Sequence, residues 1–164
     1  MTVHDSPRAF GYAHARRAGR DWVDAYRLQE KMYPAVCPKC RATEWQGRWR
    51  WDEGVPGLAP FLCPACQRIR DGVPAHVLEL TGALPKWWTE VKGMIGNVER
   101  RETCEHPMER VMKIEVGDDG VRVLTTGMHI ARQLTAAIVR RFRHGVRLTF
   151  ATHVTRIEWL PSPP

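Results

Sequence analysis

The amino-acid sequence predicts an α+β protein with two folded units, and three observations support this prediction. Two Cys-Pro-x-Cys motifs, at 37–40 and 63–66, stand on either side of a short connecting segment. After Pro74 the apolar residues follow strand and helix periods in the order β-α-β-β-α-β, with one additional strand. Residues 1–36 contain too few apolar side chains to form a core. The expected fold is a small four-cysteine ribbon followed by a ferredoxin-like (split βαβ) domain, with a flexible N-terminal arm.

The arm, residues 1–36, is basic and carries arginines dispersed among glycine, histidine and proline. Its single weakly helical pattern, DWVDAYRLQEKM, has too few apolar positions to pack alone. We therefore expect the arm to become ordered only on a partner or against the next domain.

The cysteine motifs predict one metal site. A CxxC turn directs two thiolates at one point, and two such turns complete a tetrahedral four-sulfur site that suits zinc or a rubredoxin-like iron. Four thiolates close the coordination shell, so a single structural zinc ion is expected. The predicted ligands are Cys37, Cys40, Cys63 and Cys66. An odd total of five cysteines argues against disulfides, and Cys104 is expected to be a free thiol near a helix end.

The predicted zinc ribbon, residues 37–72, contains the sequence QGRWRW between its cysteine motifs. If 44–51 formed one strand, its two faces would carry different side chains. One face would carry Trp45, Trp49 and Trp51, and the other would carry Arg48 and Arg50. Two hypotheses stay open: the tryptophans cover the metal hairpin or pack on the next domain, or an exposed tryptophan and the arginines bind single-stranded RNA.

The ferredoxin-like α+β domain is predicted over residues 73–160. Its first elements are a strand at 76–80 and a helix over 84–106 that has Pro85 in its first turn and is ended by Pro107. The apolar stripe of that helix is Trp88, Val91, Ile95 and Val98.

A hairpin, a second helix and two closing strands complete the domain. The hairpin strands, 109–116 and 121–126, flank the turn sequence GDDG. The apolar stripe of the second helix is Ile130, Leu134, Ile138 and Phe142. The closing strands are predicted at 145–152 and 153–159.

The net charge of +7 and the pI of about 9.5 favour a polyanion as partner, because clustered arginines concentrate positive potential. Much of this basicity lies after residue 126, and five arginines between 132 and 147 stand without an acidic residue. The residues predicted to contact RNA are Arg48, Trp49, Arg50, Arg68, Arg70, Arg132, Arg140 and Arg143. For Arg70 and Arg68, a surface pair with Asp71 is the alternative.

His106 and His129 are the residues that an enzyme would need. The sequence supplies no accompanying nucleophile, base and oxyanion set and no glycine-rich phosphate loop. We therefore expect no catalysis and no small-molecule substrate, with His106 ending a helix and His129 making an ordinary hydrogen bond in a first helical turn. The chain also has no apolar run of about 18 residues and no apolar segment near its start, so a cytoplasmic protein without a membrane span is expected.

Several stretches resemble a family of uncharacterised bacterial zinc-ribbon proteins. These are YPAVCPKC, GRWRW, FLCPACQRIRDGVPA, LTGAL, NVERRETCEHPMERVMKIE and VLTTGMHIARQL. That family is similar to the N-terminal part of the eukaryotic adapter that exports large ribosomal subunits, the nonsense-mediated-decay adapter. The resemblance covers about residues 22–159 and implies a four-cysteine zinc site and association with ribosomes or ribosomal RNA, with the large subunit favoured. The sequence departs from the family at Arg41, where a glycine usually follows the first motif, at Trp87-Trp88 and at Cys104.

The function expected from the sequence is that of a non-enzymatic zinc protein that binds ribosomal RNA or the ribosome, in assembly, dormancy or rescue. Two alternatives stay open. One is a DNA-binding or protein-docking zinc ribbon in transcription, and the other is a rubredoxin-like electron-transfer protein.

Overall fold

The computed structural model describes residues 34–52 and 56–161, Tyr26, and the backbone of two short strands, β1 (Arg16–Ala18) and β2 (Asp21–Val23). These two strands pair with each other in antiparallel fashion. Most of the predicted N-terminal arm lies outside the described residues.

The ribbon is a small four-stranded sheet followed by a short helix. Its elements are β3 (Ala35–Val36), β4 (Thr43–Trp45), β5 (Arg48–Arg50), β6 (Ala59–Pro60) and α1 (Pro64–Asp71). The strand order is β5-β4-β3-β6, in which β3 runs parallel to β6 and the other neighbours are antiparallel. The sequence interpretation treated residues 44–51 as one strand. They form two strands, β4 and β5, instead. The backbone reverses at Gln46 and Gly47, whose φ angles of 51° and 79° build the tight turn that a two-residue hairpin needs.

Helix α1 was not predicted, since the second cysteine motif was interpreted only as a CxxC turn that supplies metal ligands. The Cys63 side chain caps this helix by accepting the amide hydrogen of Cys66, and Pro64 occupies its first turn. Gly72 ends it in the left-handed conformation with φ 66°. The second motif is thus both a turn that supplies two metal ligands, here called a knuckle, and the start of a helix.

The second unit contains every helix and strand predicted for it. Its elements are β7 (His76–Gly82), a 3-10 turn (Leu84–Trp87), α2 (Trp88–Glu105), β8 (Val111–Gly117), β9 (Gly120–Thr125), α3 (Met128–Phe142), a second 3-10 turn (Arg143–Gly145), β10 (Val146–Ala151) and β11 (Val154–Trp159). The first predicted helix is divided, because the segment around Pro85 forms the 3-10 turn before α2. The five strands form one mixed sheet in the order β10-β11-β7-β9-β8, with β11 parallel to β7.

Both helices pack on the same face of this sheet. Their apolar stripes join the core side chains of β7, β9 and β11, among them Leu78 and Ile157, both 0% exposed. Alternate residues of the same strands point away from the helices. This outer face carries cross-strand ion pairs, Arg156 with Glu79 at 2.7 Å, Arg147 with Glu158 at 3.0 Å and Arg122 with Glu115 at 3.1 Å. Within the described part of the chain, no helix is long and apolar enough to cross a membrane.

A buried histidine at the start of β7 predicts a pH-dependent stability. His76 is 4% exposed and its Nε2 lies 2.9 Å from Thr155 Oγ1. Burial, with the nearby charges of His153 and Arg132, lowers the pKa of His76 to about 4. In the unfolded chain His76 is protonated near pH 6.5, but in the folded protein it stays neutral down to about pH 4. The contribution of His76 to the free energy of unfolding is therefore fully present above pH 6.5 and is lost as the pH falls towards 4.

We expect this group to lower the free energy of unfolding by about 2 kcal/mol between pH 7 and pH 5. Urea unfolding at both pH values, with zinc in excess, measures the difference for the natural protein and for His76→Gln. The variant keeps a hydrogen-bonding side chain beside Thr155 but does not titrate. An equal loss of stability in both proteins would assign the pH dependence to other groups.

Candidate metal centre

The four cysteines of the two motifs come together at the junction of β3 and α1. Their Sγ atoms all lie within 4.8 Å of one another, with 3.7 Å between Cys40 and Cys63. Zinc bonded to sulfur at about 2.3 Å in a tetrahedron requires sulfurs about 3.8 Å apart. Cys37 and Cys63 are completely buried. The protein therefore has a four-cysteine site suited to one metal ion, for which zinc fits the donor set and geometry.

Backbone amides surround the sulfurs. The amide of Cys63 donates to Cys37 Sγ at 3.5 Å, and the amide of Cys66 donates to Cys63 Sγ at 3.4 Å. In the first knuckle, the amide of Arg41 donates to the Cys37 carbonyl at 2.9 Å, and the amide of Cys37 donates to the Ala42 carbonyl at 2.8 Å. The first two bonds orient the Cys37 and Cys63 sulfurs and stabilise negative charge on them, and the other two fix the backbone around Cys37.

The first knuckle contains a strained residue. Arg41 has φ 68°, the left-handed conformation that a side chain with Cβ disfavours by about 1 to 2 kcal/mol. We expect Arg41→Gly to raise the urea midpoint of the zinc-loaded protein, corresponding to about 1 kcal/mol. Arg41→Ala is the matched control, because it removes the same charge but retains Cβ. Equal shifts in the two variants would show that charge, not backbone strain, is responsible.

The thiols have unequal affinities for protons. Hydrogen bonding from Cys63, together with the guanidinium of Arg110, lowers the pKa of Cys40 to about 4. The same hydrogen bond and burial raise the pKa of Cys63, while burial raises that of Cys66 to about 11. A divalent ion therefore has to displace protons from Cys63 and Cys66 as it binds.

Arg110 connects the cysteine site to the second unit. It precedes β8, its Nη1 lies 3.6 Å from Cys66 Sγ, and its Nε donates to the Pro107 carbonyl at 2.7 Å. Its guanidinium lies 5.5 Å from the centre of the Trp51 ring. The Trp51 indole nitrogen donates to the Thr103 carbonyl of α2 at 2.6 Å. A cation and an aromatic ring thus join the ribbon to α2 and β8. Packing of a tryptophan on the next domain was one of the two sequence hypotheses, whereas the contacts of Arg110 were not predicted.

The tryptophans largely cover the ribbon. Trp49 is half-buried and packs against the cysteine cluster, together with Met108 from the second unit. Trp51 is 42% exposed but contacts α2, and Trp45 is half-buried opposite Arg48. The interpretation that tryptophans cover the metal hairpin or pack on the next domain is therefore confirmed for Trp49 and Trp51. Base stacking by a tryptophan stays a prediction.

The basic residues predicted to contact RNA fall into two groups. The exposed members with no ion pair to any described residue are Arg48, Arg50, Arg132, Arg140 and Arg143. Arg70 pairs with Asp71 at 2.7 Å, as the alternative proposed. Arg68 was also predicted to contact RNA, but its side chain does not project into solvent. Arg68 is 6% exposed, because it stacks 4.3 Å from the centre of the Tyr26 ring and donates to the Val73 carbonyl.

The two histidines lie where the sequence placed them. His106 caps the C-terminus of α2, and His129 is in the first turn of α3. The structure adds Glu102, which is 6% exposed and lies 3.0 Å from His129 Nε2. Glu102 was not recognised in the sequence, although its spacing of four residues from His106 puts both on one face of α2. Cys104 is exposed on the same helix.

No protein-family model matches this chain, and neither a curated protein nor a solved structure matches it significantly.

Proposed function

We propose that the protein is a non-enzymatic zinc-ribbon protein that binds ribosomal RNA or the ribosome through exposed arginines on both folded units. The observation that carries the proposal is that five of the arginines predicted to contact RNA are exposed and have no ion pair to any described residue; they are hereafter the open arginines. They are Arg48, Arg50, Arg132, Arg140 and Arg143. Arginines that are free of carboxylates can form bidentate contacts with phosphate.

The open arginines differ from other arginines of the same region, which form ion pairs. Arg141, Arg147 and Arg156 come from the same basic quarter of the chain, but they hydrogen-bond to Glu90, Glu158 and Glu79. Among the arginines predicted to contact RNA, those without an ion pair to any described residue therefore lie on β5, along α3 and just after it. Since the cysteine site has no open coordination position once four thiolates bind the ion, zinc contributes to folding rather than to chemistry here.

The sequence resemblance supports a ribosomal partner, with the large subunit favoured, and a role in assembly, dormancy or rescue. We also propose that the second unit is a ferredoxin-like arrangement with one additional strand, which differs in that β11 lies parallel to β7 and separates it from β10. The N-terminal arm would add further basic contacts on the partner.

The proposal is tested by co-sedimentation of the zinc-loaded protein with separated small subunits, large subunits and whole ribosomes over a salt series. Stoichiometric binding to one particle at physiological salt is expected. The variant Arg132→Ala with Arg140→Ala should weaken binding and reduce the salt slope by about 0.7 to 0.9 for each phosphate that the variant no longer neutralises.

The control variant is Arg147→Ala with Arg156→Ala, which removes the same charge from the outer face of the sheet. We expect its binding and salt slope to stay close to those of the natural protein. Equal weakening by both variants would show that net charge alone, and not the position of the arginines, determines binding. Tighter binding to duplex DNA than to ribosomal RNA at matched salt would favour the transcription alternative.

A further inference from the structure

We propose that Glu102, His106 and His129 form a second metal site, which binds one divalent transition ion of the zinc type and leaves a coordination position open. Each residue offers one ligand atom, and the three atoms lie within 4.8 Å of one another. The site is separate from the four cysteines and lies between α2 and α3.

The fold holds two of the ligands on one helix and the third on another. Glu102 and His106 are four residues apart on α2, and the His106 amide donates to the Glu102 carbonyl at 2.8 Å. His106 has φ −128° and ψ 93°, so the chain leaves the helix there and continues into the buried Pro107. His129 enters from the first turn of α3, and its ring centre lies 5.6 Å from that of His106.

The separation of the ligand atoms is close to what zinc requires. Tetrahedral ligands at about 2.0 to 2.1 Å from zinc stand about 3.3 Å apart. Glu102 Oε2 and His129 Nε2 already lie 3.0 Å apart. The side chains of His106 and His129 are 53% and 49% exposed, so their rings can rotate and bring the three ligand atoms to the separation that zinc requires.

The surroundings resemble a metal site in two further ways. Arg101 donates to Glu102 Oε1 at 2.8 Å, which orients the carboxylate and leaves Oε2 directed at His129. The three ligands line a cleft of about 410 Å³ that is also lined by Arg101 and Arg140. Arg101 pairs with Glu102 and the cleft is also lined by Glu105, so Arg140 is the lining arginine without an ion pair to a described residue.

Two imidazoles and one carboxylate suit zinc and similar ions, and three protein ligands leave the fourth position for another donor. Water fills such a position in the absence of other ligands. Because the bound ion is positive and the exposed Arg140 lines the cleft, the exogenous donor that fits best is an anionic oxygen, as on a phosphate group.

The alternative is an ordinary hydrogen bond between His129 and Glu102, which would bind no ion. Metal counting separates the two cases. Native mass spectrometry of the protein in excess zinc should find two ions per chain. His106→Gln with His129→Gln should reduce the count to one, since the cysteine site is left intact. His144→Gln, an exposed histidine elsewhere, is the matched control and should keep two.

Cobalt substitution identifies which site is occupied. The second equivalent of Co²⁺ should add absorption without thiolate charge-transfer bands, and this absorption should disappear in the double histidine variant. Inorganic phosphate should perturb the absorption of the second cobalt ion and leave the thiolate bands unchanged. A single ion in the natural protein, or a second ion bound equally by the double variant, would overturn the proposal. Neither result bears on ribosome binding, because no RNA is present in the measurement.

Discussion

Replacing Cys63 by serine is expected to abolish metal binding at the ribbon and to unfold it. Cys63 is completely buried, lies 3.7 Å from Cys40 and caps α1. Serine can still accept the capping hydrogen bond, so the substitution removes a metal ligand and leaves the cap in place. Metal binding contributes about 10 to 16 kcal/mol to the folding of small zinc domains. A ribbon without its ion has almost no core to replace this contribution. The cobalt-substituted variant should lose its thiolate charge-transfer bands, and amides of 35–71 should lose protection from hydrogen exchange.

The control is Cys104→Ser, which removes a thiol that is exposed on α2. It should retain the charge-transfer bands and the protected amides of the ribbon. The core of the second unit should stay protected in both variants, because its buried residues come from the sheet, α2 and α3. Retention of a full complement of thiolate-bound metal by Cys63→Ser would contradict the four-cysteine assignment.

Gly127→Ala is expected to destabilise the second unit by about 3 kcal/mol, since it combines overpacking with loss of a helix cap. A Cβ at Gly127 would collide with the carboxylate of Glu109. That carboxylate is buried, and its Oε2 accepts the amide hydrogen of Ile130 at 2.8 Å at the N-terminus of α3. Displacing it leaves a buried charge without its partner and the helix without its cap.

Thermal or urea unfolding measures this loss. Gly93→Ala is the matched control, because Gly93 lies inside α2 and a Cβ there meets no atom within 4 Å. Alanine is the better helix former, so the control should gain about 0.8 to 1 kcal/mol. Shifts of the same sign in the two variants would show that Glu109 does not occupy the position next to Gly127.

The second unit was predictable from the sequence because its elements are long and strongly periodic. The stripes of α2 and α3 bury Ile95 and Leu134 as the three- and four-residue spacing indicated, and the GDDG turn joins β8 to β9. The cysteine site was predictable for a different reason, since two CxxC turns fix ligand number and geometry without reference to the remaining fold. The direction of β11 was not predictable, because the alternation of residues is the same in a parallel and an antiparallel strand.

The missed features depend on contacts between distant segments. Helix α1 has a short apolar pattern, and its cap is a cysteine that the sequence interpretation assigned only to metal. Arg68 is buried by Tyr26, a residue of the N-terminal arm, so its local surroundings gave no indication of burial. Glu102 acquires its relation to His129 only when α2 packs against α3.

The outer face of the sheet has a consequence for how the molecule meets other molecules. Its arginines and glutamates pair across neighbouring strands, so this side is close to electrically neutral at short range. The helix side of the same sheet carries the open arginines of α3. We expect this uneven distribution to direct a polyanion at low salt towards the helix side of the sheet. Raising the salt should reduce this preference in orientation first, because salt screens distant charges more strongly than charges in contact.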